Sequence, residues 1–167
     1  VCSSDLGIAV HELTHAIQGA QFYNGDNAND GNQNNNTLTP CWLIEGLAHF
    51  TAASTFKTLD EYTSGVQNMF KGHLTSYLKN QSPESIDAIF QKSLPGQQCR
   101  EPFVKYGPQS PYEMGYSVGM FATQILAAIG GAESTMALEV EMSRGLTFAE
   151  AFKVVYGIAW SDASSKI

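Results

Sequence analysis

The chain has 167 residues, enough for one domain with a buried core, and its 43% hydrophobic and 15% charged residues exclude a disordered chain. A formal net charge of −7 argues against a nucleic-acid-binding or anionic-membrane surface. The most apolar run, 116–129, is interrupted by Gly119, Thr123 and Gln124 and is too short to span a bilayer.

Val1-Cys2-Ser3-Ser4-Asp5-Leu6 is what a common sequencing adapter, GTG TGC TCT TCC GAT CT, encodes in that frame. Residues 1–6 are therefore expected to be a library scar, leaving 7–167 as the natural part of a domain whose upstream portion is missing. Ile8, Leu13, Ala16 and Ile17 then recur at helical spacing and predict a largely buried first helix. On it lies His11-Glu12-Leu13-Thr14-His15, with two imidazoles one turn apart on one face. Imidazoles so placed bind one Zn²⁺ at about 2.0–2.1 Å each. Glu12, one position round the helix, reaches water beside the metal rather than the metal. H-E-x-x-H thus predicts a metal site and a general base together. The alternative is a histidine pair packed in a core helix with no metal.

Tyr23 to Asn36 is rich in Asn, Asp and Gly and predicts a surface loop. Asp26, Asp30 and Gly31 match three positions of a calcium loop, but Ala28 stands at the third and no Glu closes it, which favours a plain solvated loop. Thr39, as N-cap, and Pro40, at the first helical position, predict the start of a second helix through Cys41 to Phe50. There Glu45 stands among Trp42, Leu43, Leu47, Ala48 and Phe50, and a buried carboxylate is costly unless paired or metal-bound. Basic residues are scarce before Lys57, so Glu45 is the best candidate for a third zinc ligand. Gly46 beside it leaves room for another element to approach closely.

Further helices are predicted over Leu59–Leu78, Ser85–Phe90, Ser110–Ile129 and Ala132–Ser143, with a Pro/Gly loop over Leu94–Pro108. Gly130-Gly131 and Arg144-Gly145 serve as stops. Thr147-x-x-Glu150 is a capping box opening a helix that Gly157 ends, and Trp160–Ile167 begins one more. His73 reads as exposed and structural. No strand is predicted, and the fold class is mainly α. Cys41 and Cys99 are either two reduced thiols or a disulfide, which would restrict the unfolded chain by about 4 kcal/mol. The low lysine count and Asn/Gly/Ser-rich loops favour the bridge and a secreted or extracytoplasmic protein.

Taken together, three segments resemble the gluzincin zinc metallopeptidases, in which a helix bearing H-E-x-x-H is followed by one whose Glu completes the site. Trp42-Leu43-Ile44-Glu45-Gly46-Leu47-Ala48 is similar to the W-x-x-E-G-x-A run of the aminopeptidase branch and of bacterial collagenases. The 29 residues between His15 and Glu45, with 24–36 as the apparent insertion, are closer to the collagenase branch. Pro111-Tyr112-Glu113-Met114-Gly115 is similar to the aminopeptidases' P-Y-E-K-G, whose tyrosine steadies the oxyanion of the tetrahedral intermediate. Met114 departs from that motif's basic residue, and His49 stands where thermolysin-like members carry an acid. His49 is therefore expected either to hydrogen-bond near the site or simply to pack. More weakly, 145–152 is similar to the end of such domains.

The resemblance implies a helical, thermolysin-like catalytic subdomain that hydrolyses a peptide or protein substrate. His11, His15 and Glu45 would hold Zn²⁺, Glu12 would be the general base, and Tyr112 would stabilise the oxyanion. Two other functions fit the same residues: a non-catalytic, zinc-stabilised binding module, or a zinc hydrolase of non-peptide substrates. Retention of Glu12 favours an enzyme. Endo- and exopeptidase are not distinguished.

Overall fold

The computed structural model describes residues 3–21, 39–56, 58, 60, 61, 64, 68, 71, 72, 111–164 and 166. Its helices are α1 (Ser3–Gln21), α2 (Cys41–Phe56), α3 (Pro111–Gly130), α4 (Ala132–Ser143), α5 (Phe148–Tyr156) and the short α6 (Trp160–Ala163). Residues 60, 61, 64, 68, 71 and 72 are also helical, inside the helix predicted over 59–78. No strand occurs among the described residues, and the class is mainly α. None of these helices is long and apolar enough to cross a membrane. The polar loop over 23–36, the predicted helix at 85–90, the 94–108 loop, His73 and Cys99 lie outside the described residues, as do the side chains of Cys41 and Tyr112.

Local chemistry sets most helix ends. Thr147 Oγ1 accepts from the Glu150 amide at 3.4 Å while Glu150 Oε2 accepts from the Thr147 amide at 2.8 Å, the predicted capping box. Gly157 closes α5 in a left-handed conformation, φ 76°, its amide donating to the Lys153 carbonyl. A second box, in which the Thr58 amide donates to Glu61 Oε2 at 3.0 Å and the Glu61 amide to Thr58 Oγ1 at 3.3 Å, has an equally plain Thr-x-x-Glu signal in the sequence. The last predicted helix spans only Trp160–Ala163.

The start of α2 differs from expectation. The Leu43 and Ile44 amides donate to the Pro40 carbonyl, so the helix begins one residue late and Thr39 is not its N-cap. The Thr39 hydroxyl instead donates to Glu139 on α4 at 3.0 Å. A wholly buried carboxylate needs that donor more than a helix end does.

Trp42 centres the core. Its ring stacks on Trp160 and meets Phe148 edge-on, with centroids 5.6 and 5.5 Å away, while Leu43, Leu126, Leu138, Met142 and Phe152 fill the space around it. Along this core α2 and α3 come into backbone contact. A methyl at Gly46 would overlap the Gly119 backbone, and one at Gly119 would overlap the Trp42 carbonyl. The close approach expected at Gly46 is therefore real, and it is made by α3.

The apolar stripe of α1 does not face this core, contrary to expectation. Ile8 is 62% and Leu13 58% exposed, and Leu6 and Ile17 are exposed as well. The face turned toward α2 is polar: Thr14 and Gln18 are buried, and His11 and His15 are partly so. The cause is partner supply: the groups that satisfy Gln18 and face the two histidines lie on α2 and α4, while the Thr14 hydroxyl donates to the Val10 carbonyl of its own helix.

Replacement of Gly119 by Ala is expected to destabilise the fold by at least about 1–3 kcal/mol, lowering Tm by several degrees, because neither backbone can yield without separating α2 from α3. An unchanged thermal midpoint would contradict the close packing.

Candidate metal centre

Helix α1 carries His11 and His15 one turn apart, and α2 packs across it at Glu45. His11 Nε2 and His15 Nε2 are 3.0 Å apart, and Glu45 Oε2 lies 3.4 and 3.3 Å from them. Glu45 is buried and both histidines are half-buried. Metal–ligand bonds of about 2.0–2.2 Å place two ligands of a tetrahedral zinc about 3.3–3.6 Å apart. Two edges of the triangle fall in that range, and the His11–His15 edge is slightly shorter. The three residues thus form a group able to hold a metal ion. Two imidazoles and one carboxylate suit zinc, and also other first-row divalent ions.

A hydrogen-bond network behind the triangle fixes its polarity. The Gln18 side-chain amide donates to the Ile44 carbonyl at 3.1 Å and to Glu139 Oε1 at 3.3 Å. A carbonyl only accepts, so the amide orientation is set and Gln18 Oε1 faces His15 Nδ1 at 2.8 Å. A neutral His15 therefore carries its proton on Nδ1 and turns the Nε2 lone pair toward His11 and Glu45. The Glu45 carboxylate raises the His15 pKa above its ordinary value, with burial opposing it.

Of the other expected site residues, Glu12 is exposed on α1, outside the triangle. Its negative charge helps to raise the His15 pKa. His49, one turn beyond Glu45, meets the His11 ring edge-on with centroids 5.5 Å apart, so it packs directly on a member of the triangle. Tyr112 belongs to the first turn of α3, which packs on α2. Gln18, Glu139 and Thr39 were not read as site residues from the sequence. Two signals were available: Gln18 at three residues after His15, on the same face, and Glu139 as an acid between Leu138 and Met142.

No family model, curated protein or solved structure matches this chain significantly.

Burial pushes the Glu139 carboxyl up to about 7, against the lowering effect of its bonds from Thr39 and Gln18. The folded state then keeps a proton that the unfolded chain loses near its ordinary value of 4.5. Its stabilising contribution is complete below about pH 4.5 and fades as pH rises through about 7, a loss of up to about 3 kcal/mol. Glu139→Gln, which cannot titrate, is expected to flatten this part of the profile. Urea unfolding of chelator-treated protein at about pH 5 and about pH 8 compares the two. The same fall in both proteins would contradict a buried proton on Glu139.

Proposed function

We propose that this chain is part of a zinc-dependent peptidase in which His11, His15 and Glu45 hold Zn²⁺ and Glu12 is the general base. The observation that carries the reading is the triangle of two imidazole nitrogens and one carboxylate oxygen with edges of 3.0–3.4 Å, built on an H-E-x-x-H helix. Three protein ligands are one fewer than a structural zinc site uses, which is the composition of a catalytic one. A bound Zn²⁺ would lower the pKa of water from 15.7 toward about 7 and polarise the scissile carbonyl.

The remaining steps belong to the chain's own groups. Glu12, exposed and adjacent to His11, accepts a proton from the attacking water at its carboxylate and returns it to the leaving amine nitrogen. Retention of a carboxylate at this position favours hydrolysis over a purely structural metal. Tyr112 is assigned the hydrogen bond to the developing oxyanion, on the likeness of Pro111–Gly115 to the aminopeptidase motif. Peptides are the assigned substrate class on the same likeness, and a secreted location is assigned from composition.

Glu12→Gln is expected to bind zinc like the parent chain and to lose peptide hydrolysis by at least about 10²-fold, the lower end of what one positioned acid–base group supplies. Glu45→Ala is expected to weaken zinc binding itself. Metal content and turnover of a peptide-substrate panel measure both. Full activity in a zinc-loaded Glu12→Gln protein would overturn the mechanism.

A further inference from the structure

We propose that Gln18 is a positioning residue for the metal centre. It holds His15 as the Nδ1–H tautomer, and it couples that ligand to α2 and α4 through the Ile44 carbonyl and Glu139. The inference rests on the assignment of His15 as a metal ligand, but its structural core, the tautomer, stands without a metal.

Gln18 is 1% exposed, so its amide has no water to fall back on, and each end has a protein partner. Its oxygen faces His15 Nδ1 at 2.8 Å, and its nitrogen donates at 3.1 Å to Ile44 and at 3.3 Å to Glu139. Glu139 is itself held by the Thr39 hydroxyl at 3.0 Å. The chain of contacts therefore runs from Thr39, two residues before α2, through a wholly buried carboxylate on α4, to a side chain on α1.

Two consequences follow. The Ile44 carbonyl belongs to the residue preceding Glu45, so one amide bonds both to His15 and to the backbone next to Glu45. This sets the spacing of the imidazole and the carboxylate across the α1–α2 interface. The second consequence concerns the proton. His15 could carry it on either nitrogen in water, and only the Nδ1–H form leaves Nε2 free to bind a cation. Groups that orient ligands in this way commonly contribute 10–100-fold to metal affinity.

The test replaces Gln18 by Met, which keeps the volume and removes both amide ends. Nitrogen-15 NMR of the chelator-treated chain at about pH 9, above the ordinary imidazole range, reads the His15 tautomer. The parent chain is expected to show Nδ1–H, and Gln18→Met a mixture of both forms. A competition titration with a chromophoric zinc chelator is expected to show a Kd raised about 10–100-fold in Gln18→Met.

A parent chain whose His15 is Nε2–H overturns the proposal even if the variant fails to fold. A folded variant with the parent's tautomer and zinc affinity does so as well. A parent chain that shows Nδ1–H but takes up no zinc would refute the metal reading and leave the tautomer assignment intact.

Discussion

Two imidazole nitrogens and a carboxylate oxygen converge within 3.4 Å of one another across one helix–helix interface. With the His15 Nε2 lone pair facing His11, the His11 Nε2–H donates to it at 3.0 Å, and the Glu45 carboxylate oxygen lies beside both rings. Most polar features of the structure serve this convergence. It accounts for Gln18 and the two partly buried histidines facing α2 while Ile8 and Leu13 are left to solvent. It also explains why Glu45 is tolerated in a helix that otherwise buries Trp42, Leu43, Leu47 and Ala48.

The apolar part of the fold supplies rigidity for that arrangement. Helix α2 is fixed by Trp42 in an aromatic cluster with Phe148 and Trp160, and by backbone contact with α3 at Gly46 and Gly119. Gly46 follows Glu45 directly, so a point of backbone contact with α3 and the carboxylate of the triangle are neighbours in sequence. A ligand set that must hold its spacing to a few tenths of an ångström is best carried on elements locked in this way. Glu139 links the two parts, sitting between core residues of α4 while accepting bonds from Gln18 and Thr39.

Much of this was legible in the sequence for physical reasons. His11, Glu12 and His15 announce themselves because one helical turn puts i and i+4 on one face. Glu45 stands out because charge inside an apolar helix needs a partner, and Gly46 because a missing side chain permits close approach. Helix ends at Gly130, Arg144, Thr147 and Gly157 follow from capping chemistry that is nearly local. The failures share a cause. The orientation of α1 and the duty of Thr39 depend on what lies across the interface, and a helical wheel cannot know that the polar face finds its partners in Glu45, Ile44 and Glu139. Gln18 and Glu139 are 121 positions apart, so neither alone signals the network that they make together.

The central claim is that His11, His15 and Glu45 form a single metal site. Zinc K-edge X-ray absorption on the chelator-treated chain, reloaded with Zn²⁺, tests it most directly. The account predicts one tightly held zinc per chain with two imidazoles and oxygen donors at about 2.0–2.2 Å. No uptake, or a zinc with fewer than two imidazoles, would contradict it.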